Sequence, residues 1–421
     1  MIQKPKGTYD VYGDKGKSIL YLEKLLPPLM EKYNYEYIRT PLFENSELFH
    51  RGVGETTDIV SKETYDFVDR GNRNMTLRPE GTAGAVRSYI ENKLYARDTI
   101  PVKNWYYGPM YRYERPQSGR FREFYQFGIE VFGSSDPLVD AEVIGVAVDF
   151  YKALGIGDIK VNINSLGDKQ SRDNYHEALK KYFEPHLKDM CEDCQKRFEK
   201  NPLRILDCKK DADSEIMKSA PKITDYLNEP SKKHFELVQK YLTAIKVDYK
   251  VNPRIVRGLD YYTHTVFEVY ANIDGFGSQN VIGAGGRYDN LVENIGGIKS
   301  PGVGFAAGIE RILAIKEKQG FRLSSPNNLD CYVVYIDEEQ KAFAIKMLQE
   351  IRKGGFLADM DFMSRSLKSN FKQAEKLNSR FMVIIGEDEM EKQIVTLRNT
   401  ILREEYKIKA DELVRFLDES C

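Results

Sequence analysis

The sequence contains no run of about 18 apolar residues, which is the length that a membrane-spanning helix requires. Its N-terminus, MIQKPKGTYDVYGDKGK, has no apolar core of the kind that a secretion signal carries. The 5 cysteines in 421 residues are too unevenly spaced for a disulfide framework. Together these absences predict a cytoplasmic protein whose thiols are reduced.

The chain also has no excess of charge of either sign. Its 63 lysines and arginines nearly balance 64 aspartates and glutamates, which leaves a formal net charge of -1. The net charge therefore does not indicate a nucleic-acid partner. However, acidic residues elsewhere in the chain can cancel a local basic surface in the total charge. The length exceeds what one hydrophobic core usually serves, so roughly two or three domains are expected.

A phosphate-binding loop of the GxxxxGK[ST] type is missing as well. A bound nucleotide would have to be held by arginines, whose planar forks match phosphate oxygens two at a time. Considered singly, such an arginine is more often solvated or paired with a nearby carboxylate such as Glu114 or Glu123. The candidates are Arg112, Arg115, Arg120 and Arg122 in YRYERPQSGRFREFYQFGIEVFG, Arg257 in RGLDYYTHTVFE, and Arg311 in GFAAGIER.

Residue patterns along the chain predict a sheet-based body followed by a smaller domain. Strand patterns flank the arginine-rich loop, and a helix is predicted after Asp136. A helix is also predicted near the N-terminus, and Pro27-Pro28 should kink or interrupt it. We expect an α+β fold, with a largely antiparallel catalytic sheet in residues 1–323 and a mostly helical insertion at about 167–250. Beyond the SSPNN linker, strands and helices alternate, which predicts a small α/β domain over residues 324–421.

Several of these segments resemble the signature motifs of class II aminoacyl-tRNA synthetases. The arginine-rich hairpin resembles the second motif, GVGFAAGIERI the third, and the strand ending at Pro41 the first. RGLDYYTHTVFE and GAGGRYDNL are more specific and resemble the histidyl-tRNA synthetase family, as do KGTYDVYG and TLRPEGTA. The resemblance covers essentially the whole chain, although Thr263-His264 departs from the polar pair that is common in the family.

The resemblance implies a two-step ligase reaction with ATP, histidine, Mg²⁺ and tRNA(His). The histidine carboxylate attacks the α-phosphate of ATP, and the histidyl group then moves to the terminal adenosine of the tRNA. By resemblance, Arg112, Arg257 and Arg311 are the catalytic residues. Arg112 is assigned to the α-phosphate, Arg257 to the opposite side of that phosphate and Arg311 to the γ-phosphate. Glu114 completes the implied ATP site.

A histidine-binding pocket is also implied by the resemblance. Glu80, Thr82 and Gln126 are expected to hold the α-ammonium group, while Glu130 and a tyrosine bond the two imidazole nitrogens. Gln126 and Glu130 are four positions apart on a predicted strand, and this even offset puts both on one face. The alternative is that Glu130 pairs with Arg122 and the tyrosines are core residues. The full implied set is Glu80, Gly81, Thr82, Arg112, Gln126, Glu130, Arg257, Tyr261 and Tyr262.

The family further implies an RNA partner and a second copy of the chain. Arg115, Gln117 and Arg120 are expected to contact the tRNA acceptor end, and the tail from about Asp330 resembles an anticodon-binding domain. The N-terminal helix over residues 22–29 and the strand to Pro41 are expected to form a homodimer interface.

Cys191, Cys194 and Cys208 carry only part of a zinc pattern. The CxxC half is present, but the second half offers one cysteine and no matching partner. We therefore expect no metal bound by the cysteines.

Three other interpretations remain at this point. A synthetase-like regulatory subunit of ATP phosphoribosyltransferase would lack the C-terminal domain and parts of the specific motifs. A synthetase for another amino acid would not carry RGLDYYTHTVFE. An RNA-binding protein without catalysis would not need the carboxylates and tyrosines.

Overall fold

The computed structural model describes residues 1–54, 57, 59–115, 120–208, 210–255, 259–271, 281–320 and 328–420, without the side chains of Lys200 and Asp207. The chain divides into two compact units, Met1–Leu323 and Ser324–Cys421. The predictions that concern Gln117, Arg257 and most of the SSPNN linker lie outside the described residues. Among the described helices, none is both long and apolar enough to cross a membrane.

The first unit is built on a mostly antiparallel sheet of 8 strands in the order β1-β5-β6-β11-β10-β9-β7-β8. Only the outermost pairs, β1 with β5 and β7 with β8, are parallel. A separate sheet of 3 strands has the order β2-β4-β3. The strands are β1 (Glu36–Tyr37), β2 (Phe43–Asn45), β3 (Tyr65–Val68), β4 (Asn74–Leu77), β5 (Val102–Tyr111), β6 (Glu123–Phe132), β7 (Ile159–Ser165), β8 (Tyr249–Val251), β9 (Thr263–Ala271), β10 (Val281–Arg287) and β11 (Gly302–Gly308).

Helices cover one face of the large sheet and form most of the predicted insertion. The insertion contains α5 to α8 and short 3₁₀ segments. The helices are α1 (Gly13–Lys32), α2 (Ser46–Val53), α3 (Thr82–Glu91), α4 (Pro137–Ala153), α5 (Lys169–Phe183), α6 (Glu192–Lys200), α7 (Glu215–Lys218), α8 (Glu229–Ala244), α9 (Leu291–Asn294) and α10 (Ile309–Lys318).

The alternation along β6 separates the core from the opposite face of the sheet. Phe127, Ile129 and Val131 are buried in the core with residues of α1 and α4. The intervening residues, including Gln126 and Glu130, therefore point to the other face. The N-cap that was predicted for α4 is also present, because the Asp136 side chain accepts a hydrogen bond from the Leu138 N–H at 2.8 Å.

Helix α1 does not stop at its two prolines. It runs through Pro27 and Pro28 to Lys32, so of the two predicted effects, a kink or an interruption, the interruption is wrong. An internal proline removes a hydrogen bond and costs about 3 kcal/mol. Leu22, Leu26 and Met30 recur every four residues and are fully buried, so the burial of this face offsets the lost bonds.

The second unit has a sheet of 5 strands in the order β13-β12-β14-β15-β16. Its first three strands are parallel and alternate with helices, as predicted, whereas the antiparallel pair β15–β16 was not foreseen. The strands are β12 (Cys331–Tyr335), β13 (Ala358–Met360), β14 (Phe381–Ile385), β15 (Ile394–Asn399) and β16 (Glu405–Lys409). The helices are α11 (Lys341–Lys353), α12 (Leu367–Lys376), α13 (Glu387–Glu391) and α14 (Leu413–Ser420).

A buried ion pair joins the end of β10 to the start of α4. The side chains of Arg287 and Asp140 are both fully buried. The Arg287 Nε lies 3.1 Å from each Asp140 carboxylate oxygen, and its Nη1 donates to the Ser134 carbonyl at 2.9 Å. Burial opposes ionisation of Asp140, but the charge of Arg287 and a contact from His234 outweigh it and hold the pKa of that carboxyl below its usual range.

We predict that Arg287→Met will destabilise the first unit by roughly 3–5 kcal/mol, because it leaves the Asp140 carboxylate buried without its main partner. The double variant Asp140→Leu/Arg287→Met should recover most of that loss, since it removes both charges. Urea unfolding of the two variants and the wild type at pH 7 measures this difference. Equal losses in the single and the double variant would contradict a coupled pair.

Candidate active site

A cavity of about 390 Å³ lies on the face of the large sheet opposite the core helices. Its volume is within the range of small-molecule sites. Its walls come from the β5–β6 hairpin, the segment before α3, the segment before β9, strands β10 and β11, and the start of α10. Segments that are distant in sequence therefore meet in one place, including the second and third motifs.

One group of side chains on the cavity wall, here called the arginine group, consists of Arg112, Arg120, Arg311 and Glu114. Arg112 donates from Nε to the Pro79 carbonyl at 2.9 Å, and Arg311 donates from Nη1 to the Val281 carbonyl at 2.6 Å. Each guanidinium is thus oriented by backbone and keeps further N–H groups for a ligand.

The arginine group holds more positive charge than its carboxylate balances. Glu114 lies 3.3 Å from the Arg120 guanidinium and 3.9 Å from that of Arg112. Burial, followed by the positive charge of Arg120, lowers the pKa of Arg311, and Glu114 offsets this only in part. An anion such as a polyphosphate would relieve this repulsion.

A second group of side chains, here called the polar group, consists of Glu80, Thr82, Gln126, Glu130, Tyr106 and Tyr288. Glu80 accepts hydrogen bonds from the backbone N–H of Thr82 at 2.8 Å and of Ala83 at 2.7 Å, which caps α3. Burial raises the pKa of the Glu80 carboxyl, and the two hydrogen bonds from backbone N–H groups lower it and so oppose that rise. The Gln126 Oε1 is buried and has no hydrogen-bond partner among the described residues, so it is a free acceptor at the cavity.

Glu130 lies beneath the cavity rather than on its wall. Its Oε1 accepts from the Thr82 hydroxyl at 2.7 Å and the Tyr106 hydroxyl at 3.2 Å, and its Oε2 accepts from the Tyr288 hydroxyl. Burial raises the pKa of Glu130 to about 8, because the three hydroxyls only partly compensate for lost hydration and the charge of Glu80 adds to the rise.

Gly81 lies behind the cavity wall, where it makes room for a buried ring. A Cβ atom on Gly81 or Gly128 would lie 2.3 Å from the Tyr106 ring, and one on Gly304 would lie 1.9 Å from the Glu130 Oε2. The structure therefore gives Gly81 a packing role beside Tyr106. Glycine is required at these positions because neighbouring side chains approach the backbone closely, not because the backbone turns there.

The remaining predicted residues are placed as follows. Tyr261 and Tyr262 are buried on the cavity wall with ring centroids 4.6 Å apart, and Tyr261 meets the Tyr288 ring edge-on at 5.7 Å. Arg120, which was expected at the tRNA, lies on the cavity wall, whereas Arg115 is exposed and is not among the described residues that line the cavity.

The alternative role of Glu130 and the departure from the family pattern at Thr263-His264 can now be judged. Glu130 does not pair with Arg122, because the Arg122 guanidinium lies over the Tyr113 ring at 3.9 Å. The unexpected Thr263-His264 pair has local structural partners: the Thr263 hydroxyl accepts from the Asp289 N–H at 3.1 Å, and the His264 ring stacks on His234.

Sequence reasoning missed several residues of the site. Tyr106 and Tyr288 bond Glu130, and Tyr9 donates to the Glu310 Oε1 at 2.6 Å next to Arg311. The available signal was their place inside quoted segments, since Tyr9 lies in KGTYDVYG and Tyr288 in GAGGRYDNL. Neither residue type nor spacing distinguished them from core tyrosines.

A separate group of possible metal ligands lies in the insertion. Cys191, Cys194 and Cys208 have ligand atoms within 4.8 Å of one another and of an Asp211 carboxylate oxygen. The expectation that the second half of the cysteine pattern lacks a partner is therefore wrong, because Asp211 supplies it.

The chain matches known proteins along its whole length. A family model described as histidyl-tRNA synthetase matches residues 7–312, and one described as an anticodon-binding domain matches residues 330–420. The chain is 48% identical over 413 residues to a histidine--tRNA ligase of Bacillus licheniformis, covering 98% of this chain and 97% of the relative. It is 47% identical over 413 residues to one of Bacillus subtilis, again covering 98% and 97%. The structure of apo histidyl-tRNA synthetase from S. aureus matches with a TM-score of 0.85 and 40% identity, covering 99% of this chain and 100% of that chain. These similarities confirm the predicted class II synthetase fold.

We predict that wild-type stability will fall relative to Glu130→Gln as the pH rises from about 5 to about 8. An acid whose pKa is raised in the folded state binds more protons folded than unfolded, so the folded state is penalised as the pH rises toward the folded pKa. The melting-temperature difference between the two proteins, measured at intervals over this range, tests the sign. A difference that does not change with pH would mean that Glu130 ionises with an ordinary pKa.

Proposed function

The chain belongs to the histidyl-tRNA synthetase family, and from this premise we propose which residues carry out its reaction, the ATP-dependent ligation of histidine to tRNA(His). The proposal rests mainly on one observation. A single cavity combines a group of cations that are only partly neutralised with a group of buried polar acceptors. The cations suit the triphosphate of ATP, and the polar acceptors suit the ammonium and imidazole groups of histidine.

In the first step, a histidine carboxylate oxygen forms a bond to the α-phosphorus of ATP, and the bond to the β-phosphate oxygen breaks. Histidyl-adenylate and pyrophosphate are the products, and no protein nucleophile is needed. Arg112 stabilises the developing charge on the α-phosphate, and Arg311 binds the γ-phosphate. Glu114 positions the ATP site through its contacts with Arg112 and Arg120. Arg257, which the structure does not describe, is proposed for the opposite side of the α-phosphate.

Histidine is proposed to bind with its α-ammonium group at Glu80, Thr82 and Gln126. The unpartnered Gln126 Oε1 and the raised pKa of Glu80 both favour a cationic donor at this position. Backbone N–H groups already occupy one direction at each Glu80 oxygen, and each oxygen keeps a further lone pair.

Glu130 is proposed to accept a hydrogen bond from an imidazole N–H, while a hydroxyl of Tyr261 or Tyr262 donates to the other ring nitrogen. Thr82 and Tyr106 both donate to the Glu130 Oε1, whereas Tyr288 donates to Oε2, so Oε2 keeps a further lone pair for the ring N–H. A site that bonds both ring nitrogens discriminates against amino acids without them by about 10⁴-fold or more, since its buried polar groups would be left unpaired.

Mg²⁺ is proposed to accompany the ATP. The cavity wall offers the carboxylate oxygens of Glu114 and Glu310 beside the arginine group, and carboxylate and phosphate oxygens are the donors that Mg²⁺ prefers. When bound, the ion would neutralise part of the negative charge of the phosphates.

The tRNA is proposed to meet the chain at two places. Arg115 and Gln117 in the hairpin loop are proposed to contact the acceptor end, because Arg115 is exposed and is not among the described residues that line the cavity. Arg120 is now better placed for the ATP phosphates, with a tRNA contact as its second proposed role. The second unit is proposed to bind the anticodon, in line with its family match.

A homodimer in the cytoplasm, where tRNA is charged, is also proposed. Within the expected interface, Leu22 and Leu26 are fully buried in the chain's own core and would not contact a partner directly. Exposed apolar side chains lie at Tyr37 in the predicted strand and on the small sheet beside the first motif, at Phe43, Phe67 and Val68. Sedimentation equilibrium should report twice the chain mass of 48.6 kDa, and a monomer would exclude this interface.

We predict that purified protein with Mg²⁺ and without tRNA will exchange pyrophosphate into ATP with histidine and with none of the other standard amino acids. Arg112→Gln and Arg311→Gln should each lower kcat by about 10²–10³-fold, because each removes a forked donor where phosphate charge develops.

Arg73→Gln is the matched control, since Arg73 is exposed and pairs with Asp69 in a turn outside the cavity. It should retain wild-type exchange. Histidine binding without any exchange would contradict the ligase assignment and favour a histidine-sensing regulatory protein.

A further inference from the structure

The ligand atoms of Cys191, Cys194, Cys208 and Asp211 in the insertion all lie within 4.8 Å of one another, and two of their separations match those around a bound metal ion. The Cys191 and Cys208 sulfur atoms are 3.6 Å apart, and the Cys208 sulfur is 3.7 Å from the Asp211 Oδ2. Around tetrahedral zinc, with bonds of about 2.3 Å to sulfur and about 2.0–2.2 Å to oxygen, neighbouring ligand atoms are about 3.6–3.8 Å apart. A disulfide would bring the two sulfur atoms to about 2.05 Å.

The backbone brings two chain segments together at this point. Cys191 is the N-cap residue of α6 and Cys194 lies in its first turn, where the helix dipole favours negatively charged thiolates. Cys208 follows a short 3₁₀-helix, Pro202–Asp207. The Asp211 Oδ2 accepts a hydrogen bond from the Cys191 backbone N–H at 3.2 Å, which fixes the carboxylate beside the thiols. The sequence pattern is therefore CxxC followed by CxxD.

The surroundings favour a structural role for such a site. Cys194 and Cys208 are buried in a small apolar cluster that belongs to the insertion and includes Tyr175, Phe183 and Ile205. Small modules of this kind commonly need a disulfide or a metal to supplement their core. Across the two segments, the Lys210 Nζ lies 3.0 Å from the Asp193 Oδ2 and adds positive charge near the thiols.

We propose that Cys191, Cys194, Cys208 and Asp211 bind one structural zinc ion. Each cysteine loses its thiol proton on binding, and the four protein ligands fill the tetrahedral shell, so no position is left open for a substrate. This site is separate from the cavity and does not depend on the ligase assignment.

The zinc site also supports one wall of the cavity. The 3₁₀-helix that precedes Cys208 carries Arg204, whose Nη2 donates to the Asp260 Oδ1 at 2.9 Å. Asp260 immediately precedes Tyr261 on the cavity wall. Zinc therefore acts as a positioning element for this wall and takes no part in the chemistry.

The test uses the full-length protein produced in medium supplemented with ZnCl₂ and measures metal content by mass spectrometry. We expect about one zinc ion per chain in the wild type and less than about a tenth of an ion in Cys208→Ser. Cys331→Ala is the matched control, because Cys331 is a buried cysteine of the second unit that is not one of the four proposed ligands, and the variant should keep its zinc.

Cobalt substitution identifies the ligands. Metal-free wild type titrated with CoCl₂ should develop thiolate-to-cobalt charge transfer and the intense visible bands of a tetrahedral ion, and Asp211→Asn should change the visible bands while keeping the charge transfer. This titration of the wild type decides the question even if Cys208→Ser does not fold. A zinc-free wild type without thiolate–cobalt absorption would overturn the proposal, as would a mass 2 Da lower that shows a Cys191–Cys208 disulfide.

Discussion

Glu130 is a carboxyl group buried beneath the cavity, and within the described part of the chain its oxygens accept hydrogen bonds from the hydroxyls of Thr82, Tyr106 and Tyr288. These hydroxyls come from three parts of the chain: the start of α3, the middle of β5 and the residue after β10. A carboxyl group that is removed from water requires such partners. The three elements therefore have to meet at one point, and Gly81, Gly128 and Gly304 are the positions where a side chain would prevent it.

The arginine group is subject to a second constraint, which is the balance of charge within the site. The charges of Arg112, Arg120 and Arg311 are balanced within the site mainly by Glu114, and each of these side chains lies on the cavity wall. Positive charge that is preorganised in this way does not have to reorganise when phosphate charge develops. In contrast, Arg122 of the same hairpin lies over the Tyr113 ring and supports the loop. The arginines of one hairpin thus divide between ligand binding and structure, which residue type alone does not reveal.

Local patterns predicted the elements whose burial follows a simple period. The alternation in β6 correctly placed Gln126 and Glu130 on one face, and the Asp136 N-cap marked the start of α4. Where packing decides, the sequence was a poorer guide: α1 continues through Pro27 and Pro28 because its buried face outweighs two lost hydrogen bonds. Tyr106, Tyr288 and Asp211 were missed because their partners are distant in sequence, and tertiary contact alone gives them their roles.

The protonation state of Glu130 links the fold to the proposed recognition of histidine and can be measured directly. We would record the ¹³C resonance of the Glu130 carboxyl carbon as a function of pH, assigned by comparison with Glu130→Gln, with and without histidine. A titration near pH 8 in the free protein that moves to lower pH with histidine would agree with an imidazole N–H bonded to the carboxylate. A titration near the ordinary value of about 4.3 in both states would contradict the central role given to this buried carboxyl.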